Sequence, residues 1–310
     1  MSSIMTNTAA MTALQSLRMT NNSIAETQSR ISTGFRVSEA ADNAAYWSIA
    51  TTMRSDNKVL STVQDALGLG AGVVDTAYTG INTVIDYVDE IKSKVAAATQ
   101  SGVDKDKIQS EITQLIDGFE STVNSASYAG SNWLVTETGG ATTQDIVSSF
   151  TRDSAGGISL GTIDITLADY ALIDNTTATG TSQTGLLENV DFSYTPATAT
   201  TSTTVTGFDL TALDVTTADL EQALAGVDFV MSELTDKASD LGAIKSRIDM
   251  QTNFVSNLMD AMDRGIGQLV DADMEEESTR LQALQVQQQL GIQALSIANS
   301  NAQNLLSLFR

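Results

Sequence analysis

The chain has 310 residues, 42% of them hydrophobic, and sets 38 acidic against 16 basic side chains for a net charge of -22. It has neither cysteine nor histidine, which excludes disulfides, thiolate or imidazole metal sites and every catalytic arrangement built on Cys-His or Ser-His-Asp. The charge repels nucleic acid and anionic membrane surfaces, and no apolar run approaches the roughly 18 residues of a membrane span.

The first ten residues hold neither a basic nor an apolar stretch, so any export is expected to proceed without a cleavable signal. Residues 1–25 carry one charge, Arg18, yet Ala10, Leu14, Leu17, Asn21, Ile24, Gln28 and Ile31 recur at helical spacing. A polar face of Asn, Gln and Ser in place of Lys and Glu predicts a helix contacted by protein on several sides.

From Ile49, alternate steps of four and three residues reach Ala98 with 13 of 15 positions apolar. Such a run predicts one long helix with a left-handed coiled-coil seam, about 75 Å at about 1.5 Å per residue. Gly68, Gly70 and Gly72 lie within this run. They have the look of a phosphate loop but lack a G-K-[ST] ending and a preceding strand, so no nucleotide site is expected. After the loop at 100–104, Ile108, Ile112, Leu115, Phe119, Thr122 and Ala126 predict a shorter third helix.

Residues 136–219 change character. They are threonine-rich, hold one basic residue, Arg152, and contain alternating runs, 158–160 and 163–167, that predict strands. Threonine enrichment fits strands, and outward threonines are candidate carriers of O-linked sugars. From Leu220 the heptad stepping resumes to Leu269, again with 13 of 15 positions apolar. The acidic stretch Asp271, Asp273, Glu275, Glu276 and Glu277 lacks calcium-loop spacing and predicts a charged first helical turn. Residues 281–309 have no charge but keep the stripe Leu281, Leu284, Gln288, Gly291, Leu295, Ala298, Ala302, Leu305 and Phe309.

The expected fold is therefore mainly α: a long coiled-coil helical rod formed by both chain ends, with a small β-rich central insertion. The segments are 1–43, 44–135, 136–219, 220–265 and 266–310. Isolated helices as polar as the two ends are marginal in water, so they are expected to order on assembly. Carboxylate pairs abound only because the chain is acidic, and no constellation points to catalysis, a cofactor or a metal. The chain is expected not to be an enzyme.

Two stretches carry a family likeness. One is Arg30-Ile-Ser-Thr-Gly34-Phe-Arg36-Val with Ala40-Ala41-Asp42-Asn-Ala44-Ala45. The other is Gln287-Gln-Gln-Leu-Gly291 with Ala298-Asn299-Ser-Asn-Ala-Gln303 and the end Leu305-Leu306-Ser-Leu308-Phe309-Arg310. Both resemble the terminal signatures of bacterial flagellins, with Asn43, Ala302 and Phe309 departing from the usual pattern.

The resemblance implies a subunit that polymerises with copies of itself, or with sister flagellins, into the hollow filament of the swimming flagellum. It places 1–43 and 266–310 in an inner tube, 44–135 and 220–265 in a rod around it, and 136–219 outside. It also implies passage through the flagellar type III export apparatus with an export chaperone, addition beneath a filament cap, a place beyond hook-filament junction proteins, and an extracellular location.

Leu14, Leu17, Ile24, Ile31, Leu284, Leu295, Leu305, Leu306, Leu308 and Phe309 are the expected self-assembly residues. Flagellins detected by Toll-like receptor 5 tend to carry Arg-Val-Arg-Glu-Leu where this chain has Glu90-Ile91-Lys92-Ser-Lys94. The reversed charge at Glu90 implies weak or no activation. A hook-filament junction protein and a secreted coiled-coil adhesin are the alternatives. A filament-borne zinc protease would need His-Glu-x-x-His, which a chain without histidine cannot supply.

Overall fold

A computed structural model describes residues 7–136, 142–153, 156–175, 185–196, 202–217 and 219–308, with side chains to residue 300. Long helices dominate: α1 (Thr8–Thr33), α2 (Ala44–Ala98), α3 (Lys105–Ser125), α4 (Leu220–Val270) and α5 (Met274–Leu308). Among the described residues, all the strands lie between α3 and α4. The chain divides into two compact units, one of Met1–Lys58 with Met259–Arg310 and one of Val59–Leu258.

In the second unit the heptad seams are the core. Leu67, Val74, Ile81 and Val88 of α2 and Val227, Leu234 and Leu241 of α4 are sealed from water. Burial of such side chains at roughly 1.5 to 3 kcal/mol each supplies the driving force. Lys245 of α4 pairs with Asp75 of α2 at 2.5 Å, and Lys92 of α2 with Asp228 of α4 at 2.5 Å. The two helices thus run antiparallel. The expected third helix forms with a small change of phase, because Ile116 and Val123 join Ile108, Ile112 and Phe119 in the core while Leu115 and Thr122 are half-buried.

The strands, which begin at Ser127 ahead of the expected insertion bound at 136, are two-stranded pieces docked with the insertion on these helices. β1 (Ser127–Tyr128) and β2 (Ser131–Asn132) form a tight antiparallel hairpin, with positive φ at Ala129 (51°) and Gly130 (83°), the conformation that matches strand twist. β3 (Val135–Thr136) pairs in parallel with β6 (Ile173–Asp174). β4 (Thr143–Arg152) and β5 (Ile158–Thr166) form an antiparallel ribbon, and so do β7 (Val190–Tyr194) and β8 (Thr203–Phe208). The two runs expected at 158–160 and 163–167 are one strand, β5, which ends at Thr166 where a 3-10 turn begins at Leu167.

Glycines in the long helices are sockets for this insertion. A Cβ on Gly70 would stand 2.7 Å from the Ile146 side chain, on Gly72 2.8 Å from the Tyr128 ring, and on Gly226 2.6 Å from the Phe208 ring. Phe208 also meets Phe192 edge-on at 5.5 Å, and Phe192 stacks on Phe229 of α4 at 5.9 Å. Gln109 of α3 completes the attachment, donating to the Leu213 carbonyl and accepting from the Val215 amide, both at 2.8 Å.

Gly226→Ala drives a methyl group into a rigid ring and should destabilise the second unit by about 1 to 3 kcal/mol. Gly68, with nothing within 4 Å of its Cβ position, should behave oppositely. Gly68→Ala is expected to add up to about 1 kcal/mol through helix propensity. Denaturant unfolding of the two variants checks the opposite signs.

Carboxylates from several elements face one another under the insertion. Burial, then Asp117 and Asp209, pushes the Glu120 carboxyl of α3 up. Burial also pushes Glu188 up, opposed by the Asp174 amide that donates to it at 2.8 Å and reinforced by Asp209, Asp174 and Glu120. A raised folded-state pKa gives stability that is complete below the unfolded value near 4.3 and is lost as pH rises through the folded value. The melting temperature of the second unit should therefore rise as pH falls through the raised folded-state values towards the unfolded one. Glu120→Gln should flatten that dependence, which separates it from general relief of the net negative charge.

Candidate functional site

The features the sequence marks at its two ends meet in the first unit. Helix α1 begins at Asn7, whose side chain accepts from the Ala10 amide at 3.0 Å, and ends at Gly34, held at φ 74° while its amide donates to the Arg30 carbonyl. A Cβ would strain that left-handed residue, which explains glycine there. The following segment lies against the break between α4 and α5. The amides of Arg36 and Val37 donate to the Val270 carbonyl at 2.7 and 3.2 Å, and the Ala272 amide donates to the Gly34 carbonyl at 2.9 Å.

Side chains of the motif finish this junction. Arg36 donates to the Gln268 and Leu269 carbonyls at 3.4 and 3.1 Å, placing a cation on the C-terminal end of α4 where the helix dipole favours it. Asp42 accepts from the Ser38 amide at 2.8 Å, the Ser38 hydroxyl at 3.1 Å and the Glu39 amide at 3.2 Å. The two backbone donors, first of all, hold its carboxyl below the usual range. Ala41 sits in this turn, and Ala44 and Ala45 open α2, capped by Asn43, whose side-chain oxygen accepts from the Ala45 and Tyr46 amides. Val37, Ala50, Ile266 and Val270 form the small core beneath, with Met53 and Leu269 against it. Here the seam departs from the expected stepping, since Ala50 is buried and Ile49 is 50% exposed.

From this junction α1 and α5 run side by side and antiparallel. Arg30 of α1 reaches Glu277 of α5 at 3.2 Å, Gln288 donates to the Asn21 side chain at 2.7 Å, and Asn7 donates to the Ala298 carbonyl at 3.0 Å. Asp273 caps α5 by accepting from the Glu275 and Glu276 amides, which makes the acidic stretch the charged first turn its composition implies. Glu277 is the exception. Its side chain is 6% exposed, its Oε1 accepts from both Arg30 and Arg280, and its Oε2 is buried with no hydrogen-bond partner among the described residues.

Each expected assembly residue can now be placed. Leu284 and Leu295, with Leu281, Gln288, Gly291 and Ala298, form the half-buried stripe of α5 against α1. Leu17, Ile24 and Ile31 face α5, accompanied by Ala10, Ala13, Thr20 and the buried Thr27. Leu14 is 39% exposed on the open side, with Met11 at 61% and Met19 at 59%. The side chains of Leu305, Leu306, Leu308 and Gln303, and Phe309 and Arg310 altogether, lie outside the described residues, while Asn299 is exposed. The boundary drawn at 265/266 falls inside α4, which continues to Val270.

A second apolar stripe on α5 escapes a reading that looks for one face per helix. Val286, Leu290 and Ile297 are 55%, 59% and 61% exposed. Their spacing of four and seven puts them on one line, about half a turn from the stripe that meets α1. Ile292, 53% exposed, lies off this line, beside the stripe that meets α1. Helix α5 is thus apolar on two opposite sides, and α1 covers one. Completing the burial of each open side chain yields about 1 kcal/mol or more, and over residues 1–25 and 281–309 only Arg18 is a charge that could oppose it.

In the segment compared with the receptor motif, Ile91 is fully buried in the α2 seam. Glu90 is exposed and pairs with Lys94 at 3.4 Å, and Lys92 is engaged by Asp228. Among the described residues no group of three or more carboxylates could hold a metal ion, and no helix is long and apolar enough to cross a membrane.

Comparison with known proteins gives two family matches, the bacterial flagellin N-terminal helical region over residues 4–138 and the bacterial flagellin C-terminal helical region over residues 224–309. The chain is 51% identical to Flagellin C of Rhizobium meliloti strain 1021 over 320 aligned positions and 47% identical to a flagellin of Brucella melitensis biotype 1 over 311. It is 44% identical to Flagellin A of the same Rhizobium strain over 394. All three alignments cover the whole of both chains.

Glu277→Ala leaves Arg30 and Arg280 without their shared acceptor and should cost about 2 kcal/mol in the pairing of α1 with α5. Amide hydrogen exchange along α1 is expected to speed up more than tenfold, while exchange in α3 stays as it is.

Proposed function

The chain belongs to the bacterial flagellin family, structural subunits of the flagellar filament, and on that premise we propose that its copies assemble by covering the apolar faces that α1 and α5 leave open within one chain. The observation that carries this reading is the doubled stripe of α5. A helix with apolar side chains on both sides is a helix meant to be surrounded, and one neighbour in its own chain satisfies half of it. The open side of α1, with Met11, Leu14 and Met19, is the complementary half of the surface.

In this arrangement residues 1–43 and 266–310 line the inner tube, 44–135 and 220–265 form the rod around it, and 136–219 stand outermost. Leu17, Ile24, Ile31, Leu284 and Leu295 hold α1 to α5. Leu14 and the carboxyl-terminal Leu305, Leu306, Leu308 and Phe309 join Val286, Leu290 and Ile297 in contacts between copies. The subunit is exported through the flagellar type III apparatus with a chaperone and adds beneath a cap beyond the hook-filament junction proteins, outside the cell and beside sister flagellins where they are made. Support for this course is the likeness at both ends, together with a single proline, Pro196, and no cysteine, both suited to passage as an unfolded thread. Full-length kinship with flagellins favours neither the junction-protein nor the adhesin alternative.

Two substitutions separate contacts within a chain from contacts between chains. Leu290→Asp should leave the melting temperature of the free subunit within a degree or two. It should also raise the concentration needed for filaments by at least tenfold, since covering an unpaired carboxylate costs several kcal/mol. Leu295→Asp should damage both. Electron microscopy after salting out with ammonium sulfate reads the result, and wild-type filaments from Leu290→Asp would remove the second stripe from the interface.

The free subunit is also expected not to activate Toll-like receptor 5 at nanomolar concentration, because Glu90 reverses the leading charge and Ile91 and Lys92 are engaged within the subunit. A cell-based receptor assay with purified monomer checks this.

A further inference from the structure

In a chain without cysteine, methionine sulfur is the group that hydroperoxides attack. Exposure sorts the methionines sharply. Met11, Met19, Met250 and Met274 are 61%, 59%, 65% and 45% exposed, whereas Met53, Met231, Met259 and Met262 are half-buried. Met1 and Met5 lie outside the described residues. Three of the four exposed methionines belong to α1 and α5. Met11 and Met19 stand on the side of α1 turned away from α5, and Met274 is the first residue of α5.

We propose that Met11, Met19 and Met274 are an oxidation-sensitive site on the unassembled subunit: conversion to sulfoxides by a hydroperoxide blocks polymerisation, and polymerisation in turn shields the three sulfurs. This inference rests on the reading that other copies cover the open faces of α1 and α5. The sulfur lone pair attacks one peroxide oxygen, the O–O bond breaks, and a sulfur–oxygen bond forms. The departing oxygen takes up the peroxide proton and leaves as an alcohol, or as water where the oxidant is hydrogen peroxide. Sulfur loses the two electrons that the peroxide gains, so no other reactant is needed.

The product replaces a pliable apolar group with a strong hydrogen-bond acceptor. On a face that must be dried by a neighbour, that oxygen either keeps its water and holds the neighbour off or is buried without a donor. At Met11 and Met19 charge does little to relieve it, because Arg18 is the only ionic group among residues 1–25, and at Met274 the neighbouring Asp273, Glu275 and Glu276 are acceptors that offer the oxygen no donor. Methionine sulfoxide reductases reverse the change, so the block is a switch and not only damage.

The test uses the full chain treated with hydrogen peroxide, peptide mass spectrometry to count each sulfoxide, and filament yield measured on untreated seeds. Oxidised wild type should lose at least tenfold in yield and recover after treatment with the two reductases. The triple variant Met11→Leu, Met19→Leu, Met274→Leu should stay within twofold of its untreated yield. The three single leucine variants give the same comparison should the triple variant assemble poorly, each retaining part of the yield.

Normal assembly of wild type carrying all three sulfoxides, or equal loss by the leucine variants, overturns the proposal while leaving the filament reading intact. Preformed filaments should oxidise at these three positions at least tenfold more slowly than free subunits. Equal rates would instead overturn the covering of these faces by other copies, on which the proposal stands.

Discussion

Three main-chain hydrogen bonds between residues 34–37 and 270–272 set the geometry of the first unit. They hold the break between α1 and α2 against the break between α4 and α5, although more than 230 residues separate them. Each break exposes helix ends whose amides or carbonyls lack partners, and the local side chains supply them: Gly34 closes α1, Asn43 opens α2, Arg36 caps α4 and Asp273 opens α5. With four helix ends satisfied in one place, α1 and α5 leave the junction already adjacent. Their pairing, and the open stripes it leaves, follow from that.

Much of this was legible in the residues. The heptad stepping found the seams of α2 and α4, since large apolar side chains recur there and length alone argued for a coiled coil. The stripe of α5 was found residue for residue from Leu281 to Ala298, while Ala302, Leu305 and Phe309 have side chains outside the described residues. On α1 the stepping slipped, choosing Leu14 and Gln28 where the structure turns Ala13 and Thr27 towards α5, and it passed over Thr20 beside Asn21, whose side chain does reach Gln288. Two helices that approach closely favour small residues between them, and a reading weighted by hydrophobic size overlooks these. The same bias preferred Ile49 to Ala50. The second stripe of α5 stayed hidden because one polar face was assumed. The pairing of β3 with β6 could not be read, because two-residue strands nearly 40 positions apart carry no periodic signal.

The glycine cluster of α2 shows a different kind of legibility. Three glycines in five residues inside a helix break local propensity, and such a violation calls for a reason elsewhere in the molecule. Phosphate chemistry was one possible reason and lacked its other parts. The structure gives a steric one: Ile146 and Tyr128 occupy the space that side chains at 70 and 72 would fill. Helix stability is given up locally, and the insertion gains a fixed seat on the seam.

The junction between the two breaks also has a mechanical meaning. Its three hydrogen bonds join chain segments that lie side by side, so a pull along either segment loads them together in shear instead of opening them one after another. The Arg36 side chain, on the Gln268 and Leu269 carbonyls, adds a further attachment point on the same short stretch. Parting these segments by sliding would therefore require the three bonds and the Arg36 contacts to yield together.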